Sequence, residues 1–93
     1  MALSNFARRL LKTGLANNAA GEEIADIIDA GTGTLSAATR EFLQKGMADN
    51  RAATLFETAV EAGSAIDGYT QRYLGNMVGD AGVAREIAAA LAS

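Results

Sequence analysis

Glu22, Asp26 and Asp29 follow one another at steps of four and three residues, which places three carboxylates on one face of a helix. Such a face can hold a hard cation through oxygen ligands. The chain lacks calcium-loop spacing, however, and Glu22 and Glu23 stand near a helix N-terminus, where negative charge is favourable for electrostatic reasons alone. A solvated acidic stripe is the preferred reading. Gly31-Thr32-Gly33-Thr34 precedes a helix and invites comparison with a phosphate cradle, because free amides at a helix start attract anions. It has neither the lysine nor the full spacing of a P-loop and reads as a connector. The 93 residues include no His and no Cys. That composition excludes the usual general base near neutral pH, the activated thiol and every Cys/His zinc site. No Ser, Thr or Lys has an evident base beside it. The expectation is a protein that is not an enzyme and uses neither cofactor nor metal; a hydrolase would have to work through Glu22 or Asp26.

Composition sets the frame for those residues. The chain is 49% hydrophobic, 20% charged and 5% aromatic, with 10 Gly and no Pro or Trp, as expected of one small domain spanning 1–93. A domain this size buries only about 60 to 65% of the surface of its extended chain, so its stability is thin unless something else covers it. Eight Lys+Arg against 11 Asp+Glu give a net charge of -3, which argues against nucleic acid as a partner. Residues 1–21 carry Arg8, Arg9 and Lys12 and no carboxylate, a balance that superficially suits a mitochondrial transit peptide, although the segment also fits an internal repeat. No secretory signal pattern and no apolar run approaching the ~18 residues of a membrane span is present. The missing cysteines leave the redox compartment open.

Sliding the chain against itself yields three copies at a spacing of about 31 to 32 residues, roughly 1–32, 33–63 and 64–93. Leu3-Ser4 aligns with Leu35-Ser36 and Ile66-Asp67, and Leu10-Leu11 with Phe42-Leu43 and Tyr73-Leu74. In the later half Asn17 matches Asp49 and Asp80, Ile24 matches Phe56 and Ile87, and Ile28 matches Val60 and Leu91. Each copy reads as two helices, since apolar residues recur at three- and four-residue steps behind a capping side chain. Ser4, Ser36 and Asp67 open the first helices; Asn17, Asp49 and Asp80 open the second. Phe6/Leu10, Ala38/Phe42 and Tyr69/Tyr73 are the expected inward pairs, and Gly14 and Gly46 the expected left-handed stops of the first helices. The third copy, with Met77-Val78-Gly79-Asp80, departs from that turn. Gly31 and Gly63 stop the second helices. No strand alternation occurs, and about 21 alanines favour helix. The predicted fold is all-α: three tandem helical hairpins, six short helices, packed as one compact bundle or a short solenoid.

A hairpin alone cannot bury both its apolar stripes, so the three must share a core, with Ala20, Ala52 and Ala84 permitting close helix approach. The last helix, Ile87 to Ala92, is apolar around most of its circumference, where a free solenoid end normally presents a polar cap. Ile87 and Leu91 are therefore candidate partner contacts. Arg8, Arg9 and Lys12 form a positive face on the first helix, readable first as a solvated surface, next as a contact for an acidic protein, and after these as one for anionic lipid or nucleic acid. Their counterparts are Arg40, Glu41 and Gln44, then Gln71, Arg72 and Gly75. Tyr69 and Tyr73, with Arg72 beside them, read as core or as an interface anchor.

The run Gly14-Leu-Ala-Asn-Asn-Ala-Ala-Gly-Glu-Glu-Ile-Ala-Asp-Ile-Ile-Asp-Ala-Gly-Thr-Gly-Thr-Leu-Ser-Ala-Ala-Thr39 resembles, in texture and length, small alanine-rich structural proteins of tailed bacteriophages, including capsid-associated and decoration proteins. The resemblance implies a many-copy virion component, found in the virion or the host cytoplasm, that binds a capsid or another virion protein. It carries over no functional residue. The expected function is a noncatalytic structural protein bound to a larger protein complex; the alternative is a free-standing helical-repeat adaptor that takes a peptide or helix in a groove.

Overall fold

The computed structural model describes residues 2–93, and among them six helices run in pairs. The first hairpin is α1 (Asn5–Leu15) and α2 (Asn18–Ala30), the second α3 (Ala37–Gly46) and α4 (Asn50–Ala62), the third α5 (Gly68–Val78) and α6 (Ala81–Ala92). All six caps are those read from the sequence. Ser4, Asn17, Ser36, Asp49, Asp67 and Asp80 accept hydrogen bonds from the amides of Ala7, Ala20, Thr39, Ala52, Thr70 and Val83. Each satisfies an amide that the helix leaves unpaired, typically for about 1 kcal/mol.

The turns within the hairpins differ from expectation. Gly14 and Gly46 lie inside α1 and α3, and the left-handed residues are Ala16 (φ 56°), Ala48 (φ 57°) and Gly79 (φ 73°). These three share one register, so the third copy keeps the turn and merely has glycine where the others place alanine. Gly14 and Gly46 serve packing. A Cβ on Gly14 would stand 2.6 Å from the Met77 carbonyl oxygen, and one on Gly46 would stand 3.1 Å from the Met77 sulfur. Gly31 and Gly63 do end α2 and α4, both with positive φ.

The inward stripe of the first helices is also one position later than the expected pairs. Ala7, Leu11 and Leu15, then Thr39, Leu43 and Met47, then Thr70, Leu74 and Val78 are buried. Leu10, Phe42, Tyr69 and Tyr73 flank that core, Ala38 is exposed, and Phe6 is 46% exposed. The second helices bury Ile24, Phe56, Val60 and Ile87 completely and Ile28 and Leu91 nearly so. Ala20, Ala52 and Ala84 are buried as expected.

The hairpins close into a ring, not a solenoid with free ends. α2 packs on α3, α4 on α5, and α6 returns to α1, while α1 also touches α3 and α5, and α2 touches α4 and α6. The result measures 27 × 24 × 23 Å. Carboxylates tie two of the junctions. Glu23 accepts from the amide (2.6 Å) and hydroxyl (3.0 Å) of Ser36 and from the Thr39 hydroxyl (2.8 Å). Glu86 does the same to Ser4, at 2.7 and 2.9 Å, and so fastens the end of the chain to its beginning. Burial works against the Glu23 charge, yet the Ser36 amide and the two hydroxyls hold its pKa below the ordinary glutamate value. At the remaining junction Leu55 takes the position of Glu23 and Glu86, opposite Asp67. A glutamate there would face another carboxylate. The buried Thr70 hydroxyl, equivalent to that of Thr39, has no glutamate to donate to at this junction, and the carboxylate beside it is Asp67, the cap of its own helix.

Candidate interaction surface

Within the first hairpin, α1 cations meet α2 carboxylates. Arg8 bonds Glu22 (3.3 Å), Asp26 (3.1 Å) and Asp29, and Lys12 bonds Glu22. Asp29 also accepts from the Leu3 amide at 2.8 Å. The second hairpin repeats the device with fewer charges. Arg40 bonds Glu57 (3.1 Å) and Glu61 (2.5 Å), Gln44 donates to Glu57 (3.0 Å), and Glu61 accepts from the Leu35 amide (2.7 Å). That amide, with Arg40 assisting, keeps the Glu61 pKa below its usual value.

The acidic stripe read from the sequence is therefore the inner half of an ion-pair ladder. The face is paired yet still partly solvated, with the Asp26 side chain 66% exposed, and among the described residues no group of three His, Cys, Asp or Glu side chains is arranged to hold a metal ion. The positive face dissolves for the same reason: Arg8 and Lys12 are partly buried and paired, whereas Arg9 is exposed with its guanidinium 5.4 Å from the centre of the Phe6 ring. Thr32 and Thr34 lie on an exposed connector that touches the next hairpin through the Gly33 amide and the Glu61 carbonyl oxygen, 3.2 Å apart.

The remaining predicted contacts separate in the same way. Ile87 and Leu91 are inside the core, because ring closure places α1 and α2 against α6; they are not available to a partner. Tyr69 and Tyr73 are half-buried and meet edge to face with centroids 5.2 Å apart. The Tyr69 hydroxyl donates to Asp49 at 2.7 Å, which lowers the pKa of the aspartate and raises that of the phenol. Tyr69 thus joins hairpin three to the cap of α4, and Arg72 lies 5.9 Å from the centre of the Tyr73 ring.

The third hairpin has no ladder. Where the first two copies place Arg8 and Arg40 it has Gln71, where they place Lys12 and Gln44 it has Gly75, and where they place Asp29 and Glu61 it has Ala92. Glu57 corresponds to Ala88, and the position of Glu22 is taken by Arg85. The side chains that fill the earlier hairpins are missing, and a groove of about 630 Å³ opens between α5 and α6. Gln71, Arg72, Gly75, Asn76, Ala84 and Arg85 line it. Arg72 and Arg85 are exposed and form no ion pair among the described residues. Asp80 also lines the groove, but its carboxylate is engaged by the Val83 amide at 2.9 Å.

Two glycines of this groove leave room for a Cβ. A Cβ on Gly68 would meet nothing within 4 Å, and one on Gly75 would sit 3.5 Å from the Ala84 Cβ, an ordinary contact. By contrast a Cβ on Gly21 would fall 2.6 Å from the Lys12 Cα. The sequence signal for the groove lay in the repeat columns: Lys12/Gln44/Gly75 was visible, but its meaning depends on the α2, α4 and α6 columns opposite.

Among the described residues no helix is long and apolar enough to cross a membrane. Compared with protein-family models, curated proteins and solved structures, the chain matches none.

Proposed function

We propose that the protein is a noncatalytic assembly component that attaches to a larger protein complex through its third hairpin. The observation that carries this reading is the α5–α6 groove, opened where Lys12, Arg8 and their partners Asp26 and Asp29 give way to Gly75, Gln71, Ala89 and Ala92. Two of three hairpins stabilise themselves with side-chain ladders, and the third leaves that surface to something else. The alanine-rich texture shared with phage structural proteins supports a virion capsid or a capsid-associated protein as the complex. Attachment would also add stability by mass action to a small domain.

The test is purification from the native source without separating complexes, beside the Gly75→Gln variant, which restores the residue type of Gln44. A shell protein in stoichiometric amount with the native chain, lost in the variant while the variant's fold and melting temperature hold, is the expected result. A partner retained by Gly75→Gln removes the groove from the interface. The adaptor reading uses the same groove, and is favoured if an isolated peptide binds there as tightly as the assembled complex does.

A further inference from the structure

We propose that the α5–α6 groove takes an acidic α-helical segment of a protein partner, whose carboxylates engage Arg72 and Arg85. The proposal rests on the docking reading above and adds the chemistry of the occupant.

The shape of the groove favours a helix. Gly68, Arg72 and Gly75 follow at spacings of four and three along α5, with Gln71 beside them and the cap Gly79 four residues on, so they form one continuous helical face. Facing them, Ala81, Ala84 and Arg85 repeat the pattern on α6. α5 and α6 have 11 and 12 residues, which gives a trough roughly 17 Å long, about three turns of a third helix. Gly68 and Gly75, two turns apart on the same face, expose bare backbone, and small side chains shorten the distance at which helices pack. An extended peptide finds no sheet edge here, because both walls are helices.

The charge of the groove favours carboxylates. In hairpins one and two the same trough holds cations from the first helix against acids from the second. Hairpin three has cationic side chains but no acid at the ladder positions of its second helix, where Ala88, Ala89 and Ala92 stand in place of Glu57, Asp26 and Asp29; its one lining carboxylate, Asp80, is held by the Val83 amide. A partner helix bearing Asp or Glu one turn apart would complete across the interface the ladder that the other hairpins complete within themselves. Two arginines on a chain of net charge -3 are too few for a nucleic-acid track.

The experiment selects from a displayed library of helical peptides about four turns long, with one face randomised among Ala, Leu, Gln, Lys and Glu, against the full chain. Expected are peptides enriched in glutamates one turn apart, whose binding moves the amide resonances of Gln71, Gly75 and Gly79 and weakens with salt. Reversing both arginines, Arg72→Glu with Arg85→Glu, should cost about tenfold or more in affinity, and lysine versions of the selected peptides should bind the reversed variant. Both arginines are exposed, so the variant keeps the fold. Selection of acid-free peptides, resonance shifts confined to other surfaces, or no selected binder overturns the proposal. So does equal groove affinity for glutarate alone or for a single-stranded oligonucleotide. Should Gly75→Gln break the native complex while the acidic peptides fail, docking at hairpin three stands and the acidic helix falls. Peptide binding beside a native complex that survives Gly75→Gln gives the reverse.

Discussion

Hairpin one and hairpin three share a backbone plan and divide over what fills the space between their helices. Each begins with a capping side chain, turns through a left-handed residue at the same register, and buries the same columns of apolar positions. In hairpin one the trough is closed by Arg8 and Lys12 on three α2 carboxylates; in hairpin three it stays open beside Gly75. Their glycines divide in the same way. Gly14 and Gly21 are where backbone comes too close for a side chain, while Gly68 and Gly75 are where a side chain would fit. The fold therefore uses glycine for two ends: bringing the hairpins together and leaving one of them unfilled.

The largest effect should come from breaking the first use. In Gly14→Ala the new methyl meets the Met77 carbonyl at 2.6 Å and the Val78 Cα at 3.2 Å. Both are backbone atoms at the α1–α5 contact, so the helices must separate. A loss of about 2–3 kcal/mol is expected, read as a fall of about 10–20 °C in melting temperature. An unchanged melting temperature would mean that α1 and α5 are not held in this approach.

The ladder itself is the next difference to break. Glu61→Ala removes the acceptor of the Leu35 amide and a partner of Arg40, and should lower the melting temperature by less than Gly14→Ala does. Amide exchange at Leu35 should accelerate, with Ile66, whose equivalent acid position is Ala92, as the internal reference. Acid should act in the same direction. The folded-state pKa values of Glu61, Glu23, Asp49 and Asp67 are all lowered, so their contribution is complete above the ordinary carboxylate range. It disappears as pH falls through the lowered folded values, and Glu61→Ala should flatten that acid limb of the stability curve.

How far these features were legible depends on the distance over which each is decided. The caps are local, and Ser4, Asn17, Ser36, Asp49, Asp67 and Asp80 were readable because a side chain three residues from an amide needs no tertiary knowledge. The phase of the first helices was not. Leu10-Leu11, Phe42-Leu43 and Tyr73-Leu74 offer two adjacent apolar columns, and the buried one is revealed only by the small Ala7, Thr39 and Thr70 one turn earlier. Gly14 was misread because a glycine required by another helix looks, in sequence, like a glycine required by its own turn. Ring closure by Glu86 on Ser4 joins the two ends of the chain, and the apolar α6 was consequently taken for an uncovered end. The acidic column Glu22/Asp26/Asp29 was visible, but its partners Arg8 and Lys12 were read as a separate surface.

A third comparison is between junctions. Glu23 serves Ser36 and Thr39, whereas Leu55 leaves the Thr70 hydroxyl with no such glutamate, beside Asp67. Leu55→Glu alone sets two carboxylates together and should lower stability. Combined with Asp67→Ser it rebuilds the Glu23 arrangement, and a denaturation midpoint above that of Leu55→Glu and at or above that of wild type is expected. If the double variant is no better than Leu55→Glu, the cap carboxylate is not the reason for leucine at this junction.

The smallest expected change separates the two uses of glycine most sharply. Gly75 lies in mid-helix, where alanine is favoured by up to about 1 kcal/mol, and its Cβ would make only an ordinary contact with Ala84. Gly75→Ala should therefore stabilise the isolated protein by about 0.5–1 kcal/mol, a rise of a few degrees in melting temperature, where Gly14→Ala destabilises it. The same methyl protrudes into the groove, so the acidic peptides should bind the variant more weakly. Opposite signs for folding and for binding at one atom are what an open docking groove demands. A loss of stability in Gly75→Ala would instead give that glycine an internal packing role like that of Gly14, and the strongest argument for an occupant between α5 and α6 would go with it.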